Sequence, residues 1–458
     1  MAALYCVGAR PASGATRYAL RMLALYLACA TDAATDAPAE PVPWTHQRPP
    51  LDELSPDGFD TRRAIIHLHS PLSHDACDDH EMEDAPCLAD LRAGLCDDAI
   101  DFAFFTDHPS EAASTPFAEL FNPQAEDEAV DGVASRVHCD SGHELLWLAG
   151  IEDELMPVGL DRHVSDDAAE NDRIYNGSDA ESFDAEIAAG GVVLQAHTEG
   201  QTTEVLLARQ QLGLHGVEMF NLHAMVDPRK REDDLGLEAL AYLTAAGPFI
   251  SGTTTAEPDL VFLAFYQEQT VSLERWDALS RVAPTLGTAG TDAHQNALPM
   301  LMSDGERVDS YRRMMSWFSN YLLVDDNSPA AAEAALRAHR SYAVFDSLGT
   351  PNGFAIQYGD EYWSSRSAQL GQELVLRCPT LAANSPTDTS APTVTAIVYK
   401  DGVPWQTGCG TWTVTDAGVY RARIDIVPEH LRTLLANMAT ELVHAYPWVY
   451  SQAFRIGL

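Results

Sequence analysis

Residues 65–75 read IIHLHSPLSHD, an apolar pair running straight into His67, His69, His74 and Asp75. The same event recurs down the chain. Residues 102–105 (FAFF) lead to Asp107 and His108, and residues 145–148 (LLWL) lead to Glu152. Residues 192–194 (VVL) lead to His197, residues 217–220 (VEMF) to Asn221 and His223, and residues 286–290 (LGTAG) to Asp292 and His294. A seventh run, Phe249-Ile250, ends in a Gly-Thr turn without a ligand. Short aromatic or β-branched runs of this kind read as buried strands. Strands that each deliver His, Asp or Glu at their ends assemble one site from distant sequence, as a parallel barrel does.

Between these runs, residues 180–189, 203–212, 235–246 and 311–323 have helical spacing, and residues 330–339 form an Ala-rich helix. Strand–helix alternation predicts a parallel sheet with helices outside it. After residue 341 the pattern changes. Residues 374–376, 394–399, 411–414 and 420–426 are β-type runs, and Lys400-Asp401-Gly402 is a hairpin turn signal. The expected organisation is a leader and tether (1–50), a catalytic α/β barrel (51–341) and a small β-sandwich-like domain (342–458). Trp405, Trp412 and Trp448 are expected in the core of that last part, the other reading being a binding face.

The charge balance restricts the partners. With 28 basic and 68 acidic residues the chain carries a formal charge of −40. That excludes a nucleic-acid backbone binder, which needs clustered Lys and Arg. Only Lys230 and Lys400 are lysines. Arg162 and the run Arg229-Lys230-Arg231 are the basic groups able to meet an anionic substrate, the run reading first as a solvated loop. At the N-terminus, Arg10, Arg17 and Arg21 precede MLALYLACA (22–30), the pattern of a secretion signal. Cys29 sits where a bacterial lipobox would place a lipid-bearing cysteine, followed by an Ala/Pro-rich tether. The chain therefore reads as exported, periplasmic or cell-surface, with a membrane tether through Cys29; the alternative is a cytoplasmic enzyme with a mis-assigned start. Apart from Cys6 and Cys29, six cysteines remain, without a CxxC pair. Cys378 and Cys409 share one β-rich region, and Cys77, Cys87 and Cys96 crowd another, so disulfides are expected.

His67-x-His69 places two imidazoles on one side of a strand end. Asp292-x-His294 repeats the spacing. Glu152 could bridge two ions, and His163 lies eleven residues beyond it. Glu218 is expected to orient a ligand His from behind, and Asp107 could play the same part. His138, His143 and His215 read as structural or solvated.

Taken together, these segments resemble the motifs of the PHP (polymerase and histidinol phosphatase) family. HLHSPLSHD, FFTDH, QAH and GTDAH are similar to its first to fourth motifs in order, and GIEDE adds the bridging acid, over about half the chain. Within the family the chain resembles the CehA/McbA-type metallohydrolases that carry a C-terminal β extension. The resemblance implies a distorted seven-stranded, TIM-like β/α barrel with two or three divalent ions (Zn, Mn or Fe) at the strand ends. His67, His69, Glu152 and Asp292 would hold the first ion. Glu152 would bridge to a second, completed by His197 and by His163 or His223. Asp75, His108 and His294 would hold a third. The first motif departs from the family in ending His74-Asp75-Ala76, so either His74 or Asp75 could be its ligand. His223 or His74 would protonate the leaving group. The implied activity is hydrolysis of a small-molecule ester by metal-activated water, with a phosphoester first. A carbamate or carboxylic ester is the alternative, and a non-catalytic metal-bound surface protein a third.

Overall fold

The first apolar run becomes strand β1 (Asp60–Leu68), which is buried along most of its length. The computed structural model describes residues 42–78, 85–121, 123–363, 368–388 and 390–458; the signal-like segment, Cys29 and residues 31–41 of the tether lie outside the described residues. β1 pairs in parallel with β2 (Phe102–Phe105), which pairs in parallel with β3 (Glu144–Ala149). Beyond β3 the bridge Gly150–Val158 leads to β4 (Met156–Val158), which is antiparallel to β5 (Val192–Gln195). β6 (Gly216–Asn221) and β7 (Leu286–Ala293) follow in parallel, and β7 returns to β1. The pairings therefore close into a circuit. The expected strand at Phe249-Ile250 is instead the end of a helix, Leu243–Ile250. The seventh member is β4, a three-residue strand too short for its apolar pattern to stand out.

Packing follows the alternation of side chains along each strand. Ile66, Phe104, Leu148, Val158 and Leu194 join one buried cluster with Ala332, Ala335 and Leu336. Ile65, Ala103, Phe105, Trp147 and Val193 join a second, larger cluster. In β1 the phase changes. Ala64 and Ile66 belong to the first cluster, but Leu68 belongs to the second. The register against β2 shifts between Ile66 and Leu68, so His67 is the extra residue of a bulge on that side; against β7 the extra residue lies on β7, between Gly290 and Ala293.

The helices have local start signals. Thr202 caps α1 (Thr203–Leu212) through the Val205 amide, and Ser328 caps Pro329–Arg337, which has proline in its first turn. Residues 311–323 do not form one helix: Tyr311–Trp317 is helical, and Ser319–Val324 is strand β8, antiparallel to the first half of β1. In residues 235–246 the helix begins only at Leu243. A helical spacing of apolar residues cannot mark where a buried segment turns into a strand, because a fully apolar run satisfies both periods.

β8 pairs with β9 (Ser341–Val344), and β9 with β12 (Tyr446–Ser451). Two further strands, β10 (Thr393–Lys400) and β11 (Gly418–Val427), extend the same sheet. The boundary expected after residue 341 thus falls inside β9, and the described residues form one compact unit. Glu373–Arg377 and Gly410–Thr413 form a separate four-stranded sheet with Ala355–Tyr358 and Glu361–Tyr362. The chain is a mixed α/β structure with a large sheet and a β-rich C-terminal part. The hairpin at Lys400 turns through Asp401 (φ 53°) and Gly402 (φ 80°), the positive values that a two-residue turn between twisted strands requires. Trp448 is fully buried; Trp405 and Trp412 are half-buried and pack edge to face.

Disulfides join Cys77 to Cys87, Cys96 to Cys139 and Cys378 to Cys409. Among the described residues no helix is long and apolar enough to cross a membrane. Cys96–Cys139 spans 43 residues, a closed loop that restricts the unfolded chain strongly. Replacing both cysteines by serine should lower stability in urea unfolding by about 2–4 kcal/mol; an unchanged midpoint would show that the bond does not restrain the fold.

Candidate metal centre

The bulge decides where the first motif points. Plain alternation from Ile65 would carry His67 and His69 outward together. The extra residue at His67 (φ 71°) turns both inward at the strand end. The shared direction expected from spacing holds, but the bulge sets its sense. His197 (φ 48°) and Asp292 (φ 48°) also occupy the left-handed region. Non-glycine residues persist there only where their surroundings hold them, and such residues cluster at functional sites.

Asp292 lies at the middle of five imidazoles. Its Oδ1 is 3.4 Å from His67 Nε2, 3.3 Å from His69 Nε2 and 4.0 Å from His294 Nε2. Its Oδ2 is 3.2 Å from His197 Nε2 and 3.3 Å from His223 Nδ1. The rings form a closed chain, His67–His69–His294–His223–His197 and back, with centroids 5.4–6.0 Å apart. Glu152 Oε1 faces the same ring, 3.8 Å from His67 Nε2 and 3.7 Å from His197 Nε2. Its Oε2 is 3.0 Å from His108 Nδ1, and His108 Nε2 is 3.0 Å from Asp75 Oδ2. His74 stacks on His108 at 4.9 Å, with Nδ1 3.3 Å from Glu111 Oε2. The site runs from buried His67, His69, Glu152 and Asp292 to half-exposed Asp75, His108, His223 and His74.

Of the expected residues, only His163 is held elsewhere. Its Nε2 is 2.7 Å from the Thr115 carbonyl and its Nδ1 is 3.2 Å from the Tyr175 hydroxyl, so both ring nitrogens serve a local contact. His223 takes the place that His163 was offered, grouped with His197 and Asp292 within ligand reach. Asp107 accepts from the Ser70 amide and hydroxyl and orients no histidine. Sequence reasoning missed Asn296 and Glu111, which hold His294 and His74 from behind. Asn296 stands two residues after the ring it holds, a spacing that offered a usable signal.

Glu218 performs the orienting role expected of it. Fully buried, it places Oε1 2.7 Å from His67 Nδ1, while Oε2 accepts from the His197 amide at 2.9 Å and from Asn221 at 3.0 Å. The facing strand makes room only because residue 290 is glycine: a Cβ there would lie 1.8 Å from Glu218 Oε1.

The electrostatics are those of buried carboxylates and imidazoles that shift one another's protonation. Burial raises the Asp292 pKa, but His67, and then His197, His223 and His69, hold it well below the carboxylate range. Burial likewise opposes ionised Glu152, yet His108 and His67 bring it down to about 2. Burial would lower His67, but Asp292, Glu218 and Glu152 push it up to about 9. Burial also opposes charge on His108; Asp75 and Glu152 outweigh it and raise the ring to about 11.

The residues fit divalent ions. His67 Nε2 is buried without a hydrogen-bond partner, and it faces two carboxylates. A buried unpartnered nitrogen is costly unless something else satisfies it. The possible ligand groups overlap: His67, His69 and Asp292; His67, Glu152 and His197; His197, His223 and Asp292; His69, His108 and Glu152; His74, Asp75 and His108. Asp292 and Glu152 are shared between these groups. Imidazole mixed with carboxylate suits Zn²⁺, Mn²⁺ or Fe²⁺. A cleft of 890 Å³ lined by Arg62, Asp101 and Glu144 lies at the opposite ends of the strands and is unrelated to this centre.

Comparison with protein-family models finds no match, and comparison with curated proteins finds none either. Among solved structures, the chain is similar to a two-domain protein from Bacteroides vulgatus containing a predicted PHP-like metal-dependent phosphoesterase. The identity is 12%, the match covers 91% of this chain and 100% of that one, and the TM-score is 0.35, too slight a likeness to carry a functional argument.

Two outcomes follow from the geometry. Glu218→Gln should weaken metal binding by about 10- to 100-fold, measured by competition with a chromogenic chelator; wild-type affinity would remove Glu218 from the site. In chelated protein, the raised pKa values of His67 and His108 contribute stability that is whole below pH about 6.5 and declines as pH rises through about 9 and then about 11. Melting temperature in EDTA should therefore fall from pH 6 to pH 9.5, and a flat or rising profile would contradict the assignment.

Proposed function

We propose that the protein is a metal-dependent hydrolase of the PHP type, with a distorted seven-stranded barrel and a two- or three-ion centre, acting on a phosphoester. The observation that carries this reading is the buried, unpartnered His67 Nε2 facing Asp292 and Glu152 at the hub of overlapping ligand groups. His67, His69, Asp292 and Glu152 would hold the first ion, and His197, His223, Asp292 and Glu152 the second. His108 and Asp75 would hold a third, with His294 beside them. Divalent ions held there would supply an activated water at neutral pH and charge compensation suited to in-line displacement at phosphorus.

The chain's own groups do the rest. Glu152 and Asp292 keep their negative charge in a buried setting because imidazoles surround them. Glu218 presents His67 through Nε2. With His223 committed to Asp292, His74 is assigned as the proton donor to the leaving oxygen: it is half-exposed, stacks on His108 and is steadied by Glu111. Three disulfides fit an oxidising compartment and support the export reading.

The test is hydrolysis of bis-p-nitrophenyl phosphate and a 1-naphthyl carbamate by protein stripped of metal and refilled with Mn²⁺ or Zn²⁺. Phosphoester turnover should require metal and fall at least about 100-fold in His67→Ala. Turnover of the carbamate alone would establish the neutral-ester alternative, and inactivity on both with ions bound would contradict the phosphoesterase reading. General acid catalysis contributes about 10²–10⁴-fold when the leaving group needs a proton. His74→Ala should therefore slow an alkyl phosphodiester far more than the p-nitrophenyl ester; equal losses on both would remove His74 as the acid.

A further inference from the structure

Behind His197, as behind His67, lies a buried acid. Glu199 is fully buried, two residues on in a single 3₁₀ turn (Thr198–Gly200). Its Oε1 lies 3.1 Å from His197 Nδ1 and 3.9 Å from Lys230 Nζ, while its Oε2 has no hydrogen-bond partner. Lys230 is one of only two lysines in the chain, and its side chain is half-buried against this acid. Arg275 approaches from helix α2 (Thr270–Val282) and donates to the Thr198 carbonyl at 2.7 Å. A buried carboxylate needs such cationic company to remain charged.

We infer that Glu199, counter-charged by Lys230, is a positioning residue: it accepts the Nδ1 proton of His197 and so commits Nε2 to the ion shared with His223 and Asp292. The inference rests on the metal-centre reading above. Three observations carry it. His197 Nε2 already faces Asp292 and Glu152, so the tautomer with hydrogen on Nδ1 is the one that can bind there. The His197 backbone is fixed separately, by the hydrogen bond its amide donates to Glu218 Oε2, which leaves only the ring to be oriented. Glu218 serves His67 in the same way, so each of the two ions has its own carboxylate behind a histidine. Lys230 Nζ lies 3.9 Å from Glu199 Oε1. Its charge acts on the second ion through Glu199.

The experiment counts ions. Wild type, Glu199→Leu, Glu199→Gln and Lys230→Met are loaded with Zn²⁺, equilibrated against a chromogenic chelator and analysed for bound zinc. Glu199→Leu should keep the remaining ions and hold one about 10- to 100-fold more weakly. Lys230→Met should weaken the same ion by a smaller factor. Melting of the chelated variants is recorded alongside, so that weaker zinc binding is read apart from the stability lost with the buried ion pair. Wild-type zinc content and affinity in Glu199→Leu would overturn the inference. Should that variant not fold, Glu199→Gln supplies the reading, and wild-type affinity there overturns it equally. If wild type itself binds no Zn²⁺, the metal-centre reading falls and this inference with it. If wild type binds Zn²⁺ but hydrolyses neither ester, only the proposed activity falls and the zinc result still decides the role of Glu199.

Discussion

The buried carboxylate of Glu218 is the contact on which the centre depends. It sits on β6 with no exposed surface and joins three separate pieces of chain: the His67 ring, the His197 amide and the Asn221 side chain. Two of those residues, His67 and His197, have left-handed backbones that cost of order 1–3 kcal/mol each. One acid thus stabilises two strained positions, and it presents the His67 nitrogen that is left without a partner. Gly290 on the neighbouring strand is the accommodation this requires.

Asp292 and Glu152 then set the charge. They draw five and three imidazoles respectively toward two buried carboxylates. Without a cation the balance is kept by protons on His67 and His108, whose affinity for them is raised. Divalent ions would displace those protons, so binding and pH are linked. The gradient from buried His67 to exposed His74 gives the centre a closed floor and an open rim.

Much of this was legible in the sequence because strand ends and ligands coincide. Each of six apolar runs led to a residue that the structure brings to the centre, and Glu218 was recognisable as an acid inside a strand. Three features were not legible. β4 has three residues and pairs antiparallel, so no periodicity marks it. The bulge at His67 leaves no mark in composition, yet it decides the face to which two ligands point. His163 follows Glu152 closely and has the right chemistry, but hydrogen bonds to Thr115 and Tyr175 retain it. The C-terminal strands read correctly as β, but their membership of the large sheet depends on β8, which lay inside a run with helical spacing.

The most direct test is anomalous diffraction from crystals grown with Mn²⁺ and with Zn²⁺, recorded at each metal's absorption edge. The account predicts two or three peaks about 3.5–4 Å apart, surrounded by His67, His69, Glu152, His197, His223 and Asp292. A single peak away from Asp292, or none at saturating metal, would contradict it.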